Sequence, residues 1–147
     1  MILAVFLMSA CTKEVTRTGG SQAKGIVFKI LPEDWAADED STMLFAEFDV
    51  PELTNAIDDH GAVLVYLSFN GGVWEALPEV YDFYSYTAIH SPGYVSIEAR
   101  DIDGYTVEPF TGPFNAKIIL IDAQKLQLHP NVDLTNYEQV KQTFQIH

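Results

Sequence analysis

The chain has 147 residues, of which 48% are hydrophobic, and it carries a formal net charge of −13 at pH 7. This length suits one domain with a substantial core and is short for two. Recognition of nucleic acid requires a basic surface, and the chain has 8 basic residues against 21 acidic ones. The composition therefore argues against nucleic acid as a partner.

The first residues have the pattern of a bacterial lipoprotein signal peptide. Residues 1–10 are uncharged and largely apolar, and small Ser9 and Ala10 directly precede Cys11, the only cysteine. A helix that spans a bilayer needs about 20 apolar residues, and the polar residues from Thr12 onward end this run too early. We expect residues 1–10 to be removed, Cys11 to be lipidated, and the protein to be anchored in the outer membrane, on its periplasmic face or at the cell surface.

The segment after the signal is predicted to be a tether. Residues 11–24 comprise the lipidated cysteine and a stretch rich in Thr, Gly, Ser and Lys without periodic apolar residues. Residues 25–147 are then the folded domain. Acylation of Cys11 leaves no thiol for a disulfide, so we expect packing alone to stabilise this domain.

From residue 25 onward, short apolar or alternating segments are separated by Gly, Pro and Asn-Gly turns, which indicates strands. The predicted strands span residues 25–31, 43–50, 62–69, 73–77, 81–89, 94–102, 105–110 and 114–121. Asn70-Gly71 and Asp103-Gly104 predict hairpin turns. The nearly continuous apolar run of residues 114–121 predicts a central strand covered on both faces.

Two helices accompany these strands in the prediction. Residues 51–58 indicate a short helix that begins near Pro51, and residues 135–141 indicate a closing helix. In the closing helix, Thr135 would be the N-cap and Glu138 its capping-box partner. Seven or eight short strands at regular spacing predict an all-β fold, an antiparallel β-sandwich of immunoglobulin-like architecture with a short C-terminal helix.

Several segments resemble a group of small Bacteroidetes lipoproteins. They are DVPELT at residues 49–54, GAVLVYL at 61–67, Trp74, Leu77-Pro78, and NYEQVK at 136–141. The resemblance covers most of residues 25–144 and implies an exported, β-rich domain behind a lipidated cysteine. Members of that group have no assigned activity, so the resemblance transfers no catalytic or binding residue.

Acidic residues form two clusters that calcium could use, since its hard charge suits oxygen ligands. The candidate ligands are Asp38, Glu39, Asp40, Asp101 and Asp103. The second cluster lacks the helix–loop–helix pattern, which places Gly sixth and Glu twelfth, whereas Gly104 is fourth and Glu108 eighth. A hairpin turn and a solvated loop are the favoured interpretations. We therefore expect no cofactor, with calcium as the alternative.

No enzyme signature stands out. The histidines lack the short spacings of zinc sites, and no serine lies in a Gly-x-Ser-x-Gly elbow. The pair Asp58-Asp59 beside His60 resembles a carboxylate–imidazole pair, but we interpret it as the end of the short helix. The sequence predicts a protein that is not an enzyme. A small hydrolase with converging acids or a His–acid pair is the third functional alternative.

Aromatic residues supply the remaining functional candidate. Trp74, Tyr81, Phe83, Tyr84 and Tyr86 fall within thirteen residues. In a strand over residues 81–89, Tyr84 and Tyr86 would share one face, and Tyr81 and Phe83 the other. One face would then fill the core, while the other could bind sugar rings or peptide side chains. A purely structural role in the core is the alternative.

The predicted ligand-binding residues are Trp74, Tyr81, Tyr84 and Tyr86. The leading functional hypothesis is a lipid-anchored, non-catalytic interaction module of the cell envelope that holds a protein partner. The second is a glycan-binding accessory lipoprotein, whose aromatic residues would be exposed and close to carboxylates.

Overall fold

The computed structural model describes residues 14–19 and 22–147. The predicted signal peptide and Cys11 lie outside the described residues. In chain order the strands are β1 (Glu14–Gly19), β2 (Lys24–Ile30), β3 (Ala36–Ala37), β4 (Leu44–Val50), β5 (Ala62–Ser68), β6 (Glu75–Ala76), β7 (Glu79–Tyr81), β8 (Tyr84–Ser91), β9 (Gly93–Asp101) and β10 (Phe114–Ile121). The helices are α1 (Asn55–His60), α2 (Ala123–Leu128) and α3 (Tyr137–Phe144), with a 3-10 turn at Pro32–Asp34.

The strands form two antiparallel sheets of five strands each. The first sheet has the order β1-β2-β10-β5-β6, and the second has the order β3-β4-β9-β8-β7. The sheets pack face to face, which confirms the predicted antiparallel β-sandwich with a short C-terminal helix. Strand pairing also confirms the hairpin of β5 with β6, although a six-residue loop (residues 69–74) replaces a tight Asn70-Gly71 turn.

The sandwich core follows from alternation in the strands. In β9, Val95, Ile97 and Ala99 are fully buried, while Glu98 and Arg100 point to the other face. The first sheet contributes the inward side chains of β2, β5 and β10 to the same core: Ile26, Phe28, Ile30, Val65, Leu67, Ala116, Ile118 and Leu120. Because the side-chain period of a strand is two, this pattern fixes the register of each sheet.

A second core lies on the outer face of the first sheet. There Tyr66, Ile119 and Ile121 pack against residues of α3 and the segment after it, namely Tyr137, Val140, Phe144 and Ile146. The first sheet is therefore covered on both faces, by the second sheet and by the C-terminal segment. Strand β10 lies at its centre, which confirms the doubly covered strand predicted for residues 114–121.

Several local predictions are wrong. The short helix begins at Asn55, with Thr54 as its N-cap, and not near Pro51. Residues 14–19 form the edge strand β1, paired with β2, and not a flexible tether. Residues 105–110 are irregular and not a strand, although Gly104 does adopt the positive φ of a turn residue. Helix α3 has Asn136 and not Thr135 as its N-cap, because the Thr135 hydroxyl donates to Asp133 while Asn136 accepts from the Gln139 N–H.

Candidate functional site

The aromatic segment around Tyr81 forms a tight hairpin and not one continuous strand. Asp82 and Phe83 connect β7 to β8, and both have positive φ, 49° and 67°, as in the type I′ turns that match the twist of paired strands. Tyr81 pairs directly across from Tyr84, so the two side chains share a face. The prediction that Tyr81 and Tyr84 lie on opposite faces is therefore wrong.

Two of the four predicted binding residues belong to the sandwich core. Tyr86 is only 2% exposed, and its ring lies 4.9 Å from the ring of Phe69 and 6.2 Å from that of Phe110. Tyr84 is partly buried and packs on Phe110 at 5.5 Å. Burial raises the pKa of the Tyr86 phenol above its ordinary value. The rings of Tyr84 and Tyr86 fill the end of the core, which agrees with the alternative of a structural role for these residues.

Trp74 lies on the other side of the first sheet, away from the three tyrosines. It packs with the second core, and the buried amine of Lys117 lies 4.6 Å from the centre of its ring. The same amine donates a hydrogen bond to the hydroxyl of Tyr137. Burial lowers the pKa of Lys117 below its ordinary value, and the charge of Lys141 lowers it further. The arrangement stabilises a buried cation by hydrogen bonding and by aromatic faces.

Tyr81 is the most exposed of the four predicted binding residues, and it lines a small cleft. Its side chain is 38% exposed, stacks on Phe69 and donates to Asn70 Oδ1 at 3.2 Å. The cleft has a volume of about 140 Å³, and its wall also includes Val73, Glu75, Glu79 and Val80. An aromatic ring beside an amide and two carboxylates can bind a hydroxylated ring by stacking and hydrogen bonding.

Exposed apolar side chains concentrate around this cleft at one end of the sandwich. Of the nine large hydrophobic side chains exposed in the described residues, six lie in the loops and strand ends here: Val73, Val80, Tyr81, Phe83, Ile102 and Tyr105. We call these six residues the apolar tip. Phe83 and Tyr105 are 69% and 71% exposed. The backbone N–H of Ile102 donates to the Phe83 carbonyl at 3.0 Å, so two of its loops are in contact. Sequence patterns did not single out Ile102 or Tyr105.

Two of the five acidic candidates for calcium, Asp38 and Asp101, accept hydrogen bonds within their own loops. Asp38 accepts from the Thr42 hydroxyl and the Thr42 and Met43 amides, and the hydrogen bond from Thr42 lowers the pKa of its carboxyl. Asp101 accepts from the amides of Asp103 and Tyr105. Within residues 14–19 and 22–147, no three His, Cys, Asp or Glu side chains, including Glu39 and Asp40, converge as a metal site would require.

A histidine–carboxylate pair does form, although with a different histidine from the one that the sequence suggested. Asp58 Oδ1 lies 2.7 Å from His90 Nδ1, whereas His60 ends helix α1. His90 also borders a cavity of about 300 Å³ between the sheets, together with Val63, Val65, Leu77, Pro78, Thr87 and Ala88. The His90 ring is hydrogen-bonded to the Asp58 carboxylate, and Thr87 lies in the same cavity wall.

Comparison of this chain with protein-family models, curated proteins and solved structures found no match. In the part of the chain that the structure describes, no helix has the length and apolar character needed to cross a membrane.

Proposed function

We propose that this protein is a lipid-anchored lipoprotein of the cell envelope that acts as a non-catalytic binding module, with the apolar tip as its binding surface. The observation that carries this proposal is the concentration of exposed apolar side chains at one end of the sandwich. Contiguous exposed apolar surface is uncommon on monomeric proteins and marks interaction sites. Phe83 and Tyr105 would be its aromatic anchors, the residue type that dominates binding energy at interfaces.

The location in the envelope rests on the sequence pattern that ends in Cys11. Metabolic labelling with radioactive palmitate tests it. We expect the wild-type protein to incorporate label and to fractionate with the membrane, and the Cys11→Ala variant to do neither. A wild-type protein without label, whose location does not depend on Cys11, would refute the anchor.

The tip is tested by photo-crosslinking in cells. A benzophenone amino acid replaces Phe83, in the turn before β8, in one variant, and Ile89, within β8, in a matched control. Ile89 is 51% exposed but lies outside the apolar tip. We expect crosslinked products from position 83 and few from position 89. Equal yields at the two positions would contradict a binding role for the tip.

A second candidate function is recognition of a glycan in the cleft beside Tyr81. Support comes from the exposed tyrosine ring next to Asn70, Glu75 and Glu79, since sugar hydroxyls donate to carboxylate and amide oxygens. Titration with a panel of neutral oligosaccharides tests this candidate. Saturable binding that is lost in Tyr81→Ala and retained in Phe83→Ala would support it, and no binding to any sugar of the panel would count against it.

A further inference from the structure

We infer that the apolar tip rests on the surface of the membrane that holds the lipid anchor, so that the bilayer is the partner of this surface. The inference rests on the proposed lipidation of Cys11. It goes further by assigning an orientation to the domain and a chemical class to the partner.

The first argument is where strand β1 begins. Glu14 pairs with Lys29, near the end of β2, and the neighbouring Ile30 pairs with Phe114 at the start of β10. The ring of Phe114 lies 5.6 Å from that of Phe69, which stacks on Tyr81 of the tip. The far end of β1 is fixed elsewhere, since Arg17 contacts Glu52 beyond β4. Strand β1 thus starts at the end of the sandwich that carries the tip.

The second argument is the length of chain between this strand and the anchor. Only Thr12 and Lys13 separate Cys11 from Glu14. Even a fully extended chain covers only about 10 Å over these three steps, at roughly 3.3 Å per residue. The start of β1 therefore cannot lie far from the lipid head groups. The exposed side chains of the same end are then within reach of the membrane interface.

The third argument is a conflict between the local sequence and the local backbone at Phe83. A bulky aromatic residue is unfavourable at φ 67°, where Gly, Asn or Asp is usual, and its side chain gains little packing at 69% exposure. Such a conflict is expected where a residue serves a function other than folding. Tyr105 is a second exposed aromatic residue directly after a turn glycine. Aromatic side chains are the ones favoured at the membrane–water interface.

The charges near the tip indicate which lipids it contacts. Asp82 adjoins Phe83 in the turn, and Asp101 and Asp103 flank Ile102. These carboxylates would be repelled by anionic head groups. We therefore assign the tip to a zwitterionic lipid surface, such as phosphatidylcholine or phosphatidylethanolamine, with apolar burial as the attraction.

The experiment places an environment-sensitive nitrobenzoxadiazole label at Phe83→Cys of the full, lipidated protein. Acylation consumes Cys11, so the introduced thiol is the only site for the label. Ile89→Cys is the matched control, because it is an exposed apolar position in the strand that follows Phe83, about 20 Å away at roughly 3.3 Å per residue. Each protein is reconstituted in phosphatidylcholine vesicles containing a doxyl-lipid quencher.

We expect the quencher to reduce emission at position 83 by at least about twofold, with little change at position 89. Partial replacement of phosphatidylcholine by phosphatidylglycerol should weaken the quenching at position 83. Tyr105→Cys gives the same readout if Phe83→Cys does not fold.

Flotation of the vesicles separates the two proposals. If the protein does not float with them, the lipid anchor is wrong. If it floats but positions 83 and 105 are quenched no more than position 89, the anchor stands and the membrane contact of the tip is wrong. Crosslinks from position 83 in cells that run to protein and not to lipid would likewise overturn the membrane contact.

Discussion

The ring of Tyr81 lies on the ring of Phe69 with centroids 4.2 Å apart and planes inclined by only 10°. This stack joins β7, the edge strand of the second sheet, to the loop that follows β5 in the first sheet. It closes the end of the sandwich and at the same time forms the wall of the cleft. One pair of residues therefore contributes to both the stability and the binding surface that we propose.

Two substitutions of Tyr81 separate the contribution of the ring stack to stability from that of the hydrogen bond to Asn70. We expect Tyr81→Ala to lower the free energy of unfolding by about 1–2 kcal/mol, because the stacked pair and part of its burial are lost. Tyr81→Phe keeps the stack and removes only the hydrogen bond to Asn70, so its change should stay within about 0.5 kcal/mol. Urea denaturation measures the free energy of unfolding of both variants. An equal decrease in the two would show that the ring stack does not stabilise this end of the sandwich.

Substitution of Tyr86 tests whether this predicted binding residue instead stabilises the core. We expect Tyr86→Ala to cost about 3–5 kcal/mol of unfolding free energy, because a buried ring surrounded by aromatic neighbours leaves a cavity. Phe83→Ala, at an exposed position of the same hairpin, should change stability by less than about 0.5 kcal/mol. The explanation fails if thermal unfolding shows similar midpoints for the two variants.

The strand pattern and the sandwich could be predicted from the sequence, because alternation and continuous apolar runs report burial directly. Residues 114–121 and 94–102 are examples, since their side chains face the cores that their patterns indicate. Helix α2 and strand β1 could not be predicted in this way. Strand β1 (EVTRTG) has a single large apolar side chain, and helix α2 (AQKLQL) is too short to show a helical period, so the structure of both segments depends on tertiary neighbours.

The binding residues were harder to predict than the fold. Type I′ turns favour Asn-Gly or Asp-Gly, and Phe83 stands where Gly is usual, so no residue pattern predicted a hairpin there. If the segment is treated as one continuous strand, Tyr81 is placed on the face opposite to Tyr84. The exposed ring of Tyr81 then cannot be distinguished from the buried ring of Tyr86. The apolar tip is assembled from loops far apart in the chain, and only the folded arrangement brings Phe83 beside Ile102.

Because the amine of Lys117 is buried, we expect the stability of the protein to depend on pH. Its pKa is lowered in the folded protein, so just below pH 10.5 the unfolded chain binds more protons than the folded one. The stability of the wild type relative to Lys117→Met should therefore rise as the pH is raised toward 10.5. Comparing urea midpoints of the two proteins across this range measures the effect, and a constant difference would contradict the burial of a titrating amine.

The loop that begins at Asp38 gives a pH dependence of the same sign in acid, with stability rising as the pH is raised. Hydrogen bonds from Thr42 and Met43 lower the pKa of this carboxyl below 3.8, so its contribution is present above that pH and is lost as the pH falls through the lowered pKa. Asp38→Asn removes one of the acceptor oxygens and should be less stable than the wild type at pH 7. The difference should disappear in strong acid, and its persistence there would argue against the carboxylate as the cause.

Mass spectrometry of the protein extracted from bacterial membranes tests the central claim most directly. We predict that the N-terminal peptide of the mature protein begins at Cys11 and carries a thioether-linked diacylglycerol. A mature chain that retains residues 1–10, with an unmodified thiol at Cys11, would contradict the lipid anchor and the orientation derived from it.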